Sequence, residues 1–105
     1  MAYRITQKML EAKADYLNKI TGSPAESYRK DRISGKSNRW YYKANVGNYH
    51  ISYAYGGASL HRMSNEAGGV STPIGHGHVP KRELLGLMEA YIRGLWDSDQ
   101  FTGGD

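Results

Sequence analysis

Polar and chemically active side chains alternate with apolar ones between residues 39 and 63. Because side chains alternate between the two faces of a strand, every second residue there belongs to one face. Such a face would carry cationic, imidazole, phenol and hydroxyl groups, supplied by Arg39, Tyr41, Lys43, His50, Ser52, Ser59 and His61, with Met63 at its end. This set suits a surface that holds phosphate and stacks bases. A sheet face that is polar only because water covers it is the equal alternative.

Catalysis is a weaker interpretation of the same face. His50-Ile51-Ser52 has the His-x-Ser/Thr spacing of two-histidine phosphoesterases, but a second such element is missing. His50, His61 and Glu66 could together do general acid–base work on a phosphodiester. Neither a nucleophile elbow nor a paired carboxylate accompanies them. Binding is therefore predicted ahead of catalysis, and no cofactor is expected.

Two further groups of residues could meet an anion. Lys81 and Arg82 fall in the first turn of a predicted helix, where the helix dipole disfavours cations, and this placement makes sense if an anion binds there. An ordinary exposed helix start is the alternative. The loop that follows residue 63 would bring Arg62, Asn65 and Glu66 to the same ligand.

A metal site is not predicted. His76-Gly77-His78 has a spacing that could present two imidazoles together, with Glu66 as a further ligand. The chain has no cysteine and no third spaced histidine, whereas zinc sites take three or four such ligands. His76 and His78 are weak candidates only.

Three strands must position the polar face, and we predict them over residues 39–45, 48–55 and 58–63. Val46-Gly47 and Gly56-Gly57 are the two-residue turns that would join them. The result is an antiparallel meander of consecutive strands.

The two turns predict compatible pairings. The turn at Val46-Gly47 pairs Tyr42 with Ile51, and the turn at Gly56-Gly57 pairs Tyr53 with Leu60. Residues that pair directly share a face of the sheet. A slip of one residue at either turn would scramble the faces, so their agreement supports the meander. The apolar face holds Trp40, Tyr42, Ala44, Tyr49, Ile51, Tyr53, Tyr55, Ala58 and Leu60.

Two helices are predicted to cover the apolar face, over residues 5–21 and 80–96. Thr6 is an N-cap for the first helix and Gly22 a natural end for it. We therefore predict a single α+β domain over residues 1–105. Its order is helix, three-stranded antiparallel meander, helix, with both helices on one sheet face.

The remaining segments are predicted to be irregular. Residues 23–38 form a basic loop, either solvated or in contact with nucleic acid. Residues 64–79 form a long glycine-rich loop of the kind that is often functional. Residues 97–105 form a frayed acidic tail.

Composition narrows the class of protein. With 105 residues, the chain is long enough for one domain. The mean hydropathy of -0.68 and the absence of a long apolar run argue against a membrane span. No apolar segment of a signal peptide follows the start, so a soluble, intracellular protein is expected. The net charge of +4 permits nucleic acid as a partner without requiring it.

Several runs resemble a family of small uncharacterised proteins encoded by tailed bacteriophages. They are Gly-Asn-Tyr-His (47–50), Ala-Tyr-Gly-Gly (54–57), Leu-His-Arg-Met-Ser-Asn-Glu-Ala-Gly-Gly-Val (60–70) and His-Val-Pro-Lys-Arg-Glu-Leu (78–84). The resemblance covers residues 5–95, and Ala67 stands where the family pattern has glycine. It supplies a setting, the cytoplasm of an infected bacterial host, and no mechanism.

In that setting we expect a small accessory protein of the host-takeover or anti-defence type. It would bind an anionic ligand such as a nucleotide signal, or a host protein, through the polar sheet face and the glycine-rich loop. The alternative is a nucleic-acid-binding module with the helix–three strands–helix order of double-stranded-RNA-binding domains, an analogy of topology alone. A small phosphodiesterase is a third interpretation. A monomer or a homodimer is expected.

Overall fold

The computed structural model describes residues 4–32, 40–75 and 77–103. The predicted site residues Arg39 and His76 lie outside these ranges. In chain order the elements are α1 (Gln7–Thr21), β1 (Tyr28–Arg32), β2 (Trp40–Ala44), β3 (Tyr49–Ala54), β4 (Gly57–Met63), β5 (Val70–Ser71) and α2 (Lys81–Gly103). The predicted α+β class is confirmed.

Local capping chemistry sets the two ends of α1. The Thr6 hydroxyl accepts a hydrogen bond from the Met9 N–H at 3.2 Å, which satisfies one of the free donors of the first turn. Gly22 ends the helix in the left-handed region, with φ of 69°. Both predicted caps are therefore confirmed. The buried face of the helix consists of Leu10, Ala14, Leu17 and Asn18.

A hairpin of β3 and β4 forms the centre of the larger sheet. Its two-residue turn is Tyr55-Gly56, with φ of 53° and 75°, so both central residues have the positive φ of a type I′ turn. The predicted turn at Gly56-Gly57 was one residue too late. Ile51 therefore pairs with Leu60 in place of Arg62. The predicted strand faces survive because the pairing changes by two residues, which is the side-chain period of a strand.

Both helices pack on one face of this hairpin, as predicted. One core cluster joins α1, β3, β4 and α2 through Leu10, Leu17, Tyr49, Ala58, Leu60, Leu84, Met88 and Ile92. Tyr49 and Tyr91 meet in the core through their hydroxyls at 2.9 Å. Burial raises the pKa of Tyr49 to about 12, with the Tyr91 hydrogen bond as the second cause. The phenol is therefore a neutral core group.

The predicted meander is wrong in its first strand. β2 pairs with β1 in a separate two-stranded antiparallel ribbon, while the three-stranded sheet has the order β3-β4-β5. Residues 28–32, predicted as loop, form β1. The turn after β2 does not reverse the chain onto β2, because the Gly47 N–H donates to the Met63 carbonyl at 2.8 Å. That hydrogen bond directs the chain into the three-stranded sheet.

The glycine-rich segment, predicted to be irregular, contains regular structure. It contains β5, which pairs Val70 with Met63, and it ends in an antiparallel bridge between Val79 and Ala58. A Cβ on Gly57 would lie 2.7 Å from the Val79 carbonyl oxygen, so this glycine permits the close approach of the bridge. α2 then continues to Gly103, which corrects the predicted tail over those residues. No helix among the described residues is long and apolar enough to cross a membrane.

Candidate functional site

The structure divides the predicted polar face between two surfaces. Tyr41 and Lys43 belong to the ribbon, whereas His50, Ser52 and His61 belong to the hairpin of the other sheet. The predicted set therefore does not form one site. Each surface has its own chemistry.

The ribbon has two unlike faces. Its register pairs Tyr28 with Ala44 and Lys30 with Tyr42, so these four residues share one side, here called the tyrosine face. The opposite side is here called the ion-pair face, and it comprises Arg29, Asp31, Tyr41 and Lys43. Side chains of both faces leave the same short backbone, so charge on one face is separated from the other by the ribbon itself.

Carboxylates occupy the ion-pair face. Glu66 Oε2 lies 3.0 Å from Lys43 Nζ and 3.2 Å from Arg29 Nη2. Lys43 Nζ also lies 4.0 Å from Asp31 Oδ2. The hydrogen bond with Lys43 is the main cause that lowers the pKa of Glu66, and the same contact raises the pKa of Lys43. The cations on this side are thus largely neutralised at neutral pH.

The tyrosine face presents rings and a lysine to solvent. Tyr42 is 68% exposed and Tyr28 is 47% exposed. Lys30 is exposed and lies directly opposite Tyr42 across the ribbon. Ala44, the last residue of β2, is fully buried. Large exposed aromatic rings beside a cation are typical of surfaces that make contacts rather than of solvated ones.

Positive charge is concentrated in the ribbon segment of the sequence. Residues 28–44 contain one acidic residue, Asp31, and six basic ones, namely Arg29, Lys30, Arg32, Lys36, Arg39 and Lys43. The whole chain has 14 Lys and Arg and 10 Asp and Glu. Outside residues 28–44 there are therefore eight basic and nine acidic residues. The whole positive excess of the protein therefore belongs to this segment.

The hairpin carries the second surface, a row of three imidazoles here called the histidine row. His50 pairs directly with His61 across the strands, and their ring centroids are 5.7 Å apart. His78 extends the row at 6.0 Å from His61, and Tyr55 contacts His78 at 5.8 Å. All these contacts are edge-to-face.

Hydrogen bonds orient the first ring of the row. Asn48 Nδ2 donates to the Pro24 carbonyl at 2.9 Å, which fixes the orientation of the amide. Asn48 Oδ1 therefore faces His50 Nδ1 at 3.2 Å and acts as the acceptor. His50 then carries its proton on Nδ1, which leaves Nε2 as the basic nitrogen.

Two serines lie beside the row. Ser52 Oγ is 3.0 Å from His78 Nε2. Ser59 pairs with Ser52 on the neighbouring strand and is only 1% exposed, and its Oγ has no hydrogen-bond partner among the described residues. This makes Ser59, predicted to be on an open face, a covered hydroxyl.

The environment of His50 and His61 favours neutral rather than charged imidazoles. Burial is the main cause that lowers the pKa of both His50 and His61, and the neighbouring ring adds to the effect in each case. No group of three His, Cys, Asp or Glu side chains among the described residues is arranged to hold a metal ion. At neutral pH the neutral form of the His50 and His61 imidazoles is therefore favoured.

The other predicted site residues have structural contacts. The Arg62 guanidinium lies 4.6 Å from the centroid of the Tyr49 ring, and its Nε donates to the Gly47 carbonyl at 3.1 Å. Asn65 Oδ1 accepts from the backbone of residues 67 and 69. Lys81 begins α2 in a partly buried position and Arg82 is exposed beside it. The contacts of Arg62 and Asn65 are therefore with Tyr49 and with backbone groups, not with the ribbon or the histidine row.

Sequence reasoning missed three residues that matter to these surfaces. Lys30 was placed in a loop, and Tyr42 was assigned to the core because the wrong strand partner was chosen. Tyr55 was also assigned to the core but is 97% exposed. The signal available for the ribbon was the concentration of basic residues around the tyrosines.

Comparison with protein-family models, with curated proteins and with solved structures finds no match for this chain.

Proposed function

We propose that this protein binds nucleic acid through the tyrosine face of the ribbon. One observation carries the proposal: Tyr28, Lys30 and Tyr42 share a solvent-exposed face, while the carboxylates of Asp31 and Glu66 lie on the other side. Cationic groups neutralise phosphates, and exposed rings stack on bases. A phosphate chain laid on this face meets no carboxylate of the ribbon.

The charge distribution supports a polyanionic partner. The ribbon segment holds six basic residues against one acidic residue, and the rest of the chain is close to neutral. A cluster of this kind raises the local concentration of a polyanion and speeds its association. A two-stranded ribbon is also narrow enough to lie along a nucleic-acid backbone.

The test is a salt-titrated binding assay. Fluorescence anisotropy of a labelled oligonucleotide should give an affinity that falls steeply between about 50 and 200 mM salt, because bound counterions are released. Lys30→Ala should weaken binding and reduce the slope of log K against log salt by about 1. Lys8→Ala, which removes an exposed lysine from α1, is the matched control and should leave both unchanged.

Three results would reject the proposal: no binding, binding that is insensitive to salt, or an equal effect of Lys8→Ala and Lys30→Ala. The first excludes a nucleic-acid partner. The second excludes phosphate contacts as the main source of affinity. The third excludes the ribbon as the place of contact.

The phage setting belongs to this proposal as well. The motifs quoted above point to a small accessory protein acting in the cytoplasm of an infected bacterium, with phage or host nucleic acid as the partner. Expression of the protein in a bacterial host followed by crosslinking to nucleic acid would test this setting. Recovery of the protein without crosslinked nucleic acid would contradict it.

A second candidate is a small phosphate-bearing ligand at the histidine row. The observation that favours it is Ser59, a buried hydroxyl without a partner among the described residues, next to Ser52 and three imidazoles. Phosphate binds imidazolium better than imidazole, so affinity should rise as the pH falls below about 6.5. Titration of adenosine monophosphate against histidine ring signals in NMR spectra, at neutral and mildly acidic pH, would check this. Unmoved ring signals at both pH values would exclude the candidate.

A further inference from the structure

We infer that the preferred ligand of the ribbon is a single strand, whose bases stack on the ring of Tyr42. This inference rests on the proposed nucleic-acid binding and adds the form of nucleic acid to it. Tyr42 is the most exposed of the three ribbon tyrosines, at 68%. The ring of tyrosine has a broad apolar surface that stacks on any base, because every base has a π-face.

The spacing of the two rings supports stacking at more than one point. Tyr28 pairs with Ala44, and Tyr42 lies two residues before Ala44 on β2. The tyrosines are therefore diagonal neighbours on one face, about 7–8 Å apart. This exceeds the roughly 3.4 Å rise per nucleotide of a stacked duplex strand, and an extended strand spaces its bases further apart. Each ring can thus meet a base of an extended strand without competing for the same one.

The Tyr28 side chain is positioned by a contact with the turn that follows Asn65. A Cβ on Gly68 would lie 3.1 Å from the Tyr28 hydroxyl, so the phenol end of this side chain rests against the turn that follows Asn65. Ala44 is fully buried beneath the same face. Tyr28 is therefore held at its polar end while about half of the side chain is open to solvent. An aromatic ring held in advance loses little conformational entropy when a base stacks on it.

A cation lies where the phosphate of a stacked nucleotide would be. Lys30 is directly opposite Tyr42 and two residues from Tyr28 on the same face, which makes it a neighbour of both rings. Its ammonium group can pair with a phosphate oxygen while the flanking bases lie on the tyrosines. Alternation of ring and cation is the arrangement that single-strand binding uses.

A duplex would use this face poorly. Its bases are stacked on each other, so an exposed tyrosine would meet only sugar and phosphate. Proteins that read the sequence of a duplex instead use Arg, Asn and Gln side chains that reach base edges in the grooves. Tyr28, Lys30 and Tyr42, the exposed members of this face whose side chains the structure describes, do not have that donor–acceptor geometry.

The experiment compares three labelled ligands of equal length, about 15 nucleotides. They are a single strand, its duplex, and an abasic strand that keeps the phosphates and lacks the bases. The intact protein should bind the single strand about tenfold more tightly than the other two. Tyr42→Ala should weaken single-strand binding about tenfold and leave abasic binding unchanged, while Tyr42→Phe should retain it.

Controls separate this inference from the proposal beneath it. Lys30→Ala should weaken binding of all three ligands, because it removes a phosphate contact. Tyr16→Ala removes an exposed tyrosine from α1 and should change none of them. Equal affinity for the normal and abasic strands, or a Tyr42→Ala protein that binds normally, would overturn stacking and leave nucleic-acid binding intact. Failure to bind any of the three would reject the proposed function itself.

Discussion

Asn18 and Tyr49 exchange two hydrogen bonds between α1 and the edge of the larger sheet. The Tyr49 N–H donates to Asn18 Oδ1 at 2.7 Å, and Asn18 Nδ2 donates to the Tyr49 carbonyl at 3.0 Å. Both residues are buried. The amide thus takes the place of a neighbouring strand, and it satisfies backbone groups that an edge strand leaves without a partner.

Asn18→Ala should destabilise the fold by about 2–4 kcal/mol. The substitution leaves a buried N–H and a buried carbonyl on Tyr49 without partners, and each costs about 1–3 kcal/mol when it loses its hydrogen bond. The free energy of unfolding from urea titration measures the loss. Lys19→Ala, at the neighbouring exposed position, should change it little. A loss for Asn18→Ala no larger than that of Lys19→Ala would contradict the account.

Tyr55→Asn should stabilise the protein by about 1 kcal/mol. Tyr55 has φ of 53° in the turn between β3 and β4, a conformation that costs most side chains about 1–2 kcal/mol and suits asparagine. The ring is almost fully exposed, so little burial is lost. Thermal unfolding followed by circular dichroism should show a higher midpoint. An unchanged or lower midpoint would mean that the contact between Tyr55 and His78 outweighs the strain.

Features that depend on neighbouring residues in the sequence were predicted correctly, whereas a feature that depends on a distant contact was not. The ends of α1 were predictable because Thr6 and Gly22 act on their own helix. The turn of the hairpin was misplaced because Gly56-Gly57 looked like a turn pair. Gly57 is in fact a glycine that makes room for the Val79 backbone, 2.7 Å from where a Cβ would be. Nothing near Gly57 in the sequence reveals that contact.

The ribbon was missed for a different physical reason. Strand prediction depends on alternation between a buried and a solvated face, and most described side chains of β1 and β2 stay exposed on both sides of the ribbon. Charged residues such as Arg29 and Lys30 are also uncommon in strands. What holds β1 in place is its pairing with β2 and contacts of Glu66, more than thirty residues later.

The candidate site was predicted in part. Strand alternation predicts that His50, Ser52 and His61 share a face, which survived the error at the turn, whereas the direct pairing of His50 with His61 depends on the observed turn. His78 joins them only because the bridge at Val79 returns the chain beside Ala58, a tertiary contact with no local signal. Tyr41 and Lys43 were assigned to the same face through a strand pairing that does not exist.

Glu66→Ala should strengthen nucleic-acid binding. Glu66 pairs with both Arg29 and Lys43, so its loss leaves two cations on the ribbon without that carboxylate. The affinity for a labelled oligonucleotide on the tyrosine face should rise at low salt, because the field of both cations reaches across the thin ribbon. Stability should change little, since surface ion pairs contribute little.

A matched variant tests the origin of that effect. Glu89→Ala removes a carboxylate that pairs with Lys13 on the helices, away from the ribbon, and changes the net charge by the same amount. It should leave oligonucleotide affinity almost unchanged. Equal gains for Glu66→Ala and Glu89→Ala would mean that net charge alone controls binding.

Mild acid should destabilise the fold through the histidine row. Burial and neighbouring rings lower the pKa of His50 and of His61 below 6.5 in the folded chain, while the unfolded chain keeps values near 6.5. As the pH falls through that value, the unfolded chain therefore takes up protons first, and stability is lost. Urea unfolding at about pH 7 and about pH 5.5 should show the midpoint moving to lower urea.

His61→Gln should make this pH dependence shallower, because it removes one titrating ring and the neighbour that lowers the pKa of His50. Titration of Glu66 does not contribute to the pH dependence measured between about pH 7 and pH 5.5. Its pKa is lowered from 4.5, so its contribution is lost only below the window that the experiment covers. An equal shift of the midpoint in the intact protein and in His61→Gln would show that other groups cause the acid sensitivity. The histidine row would then be a packed polar surface without a role in the pH response.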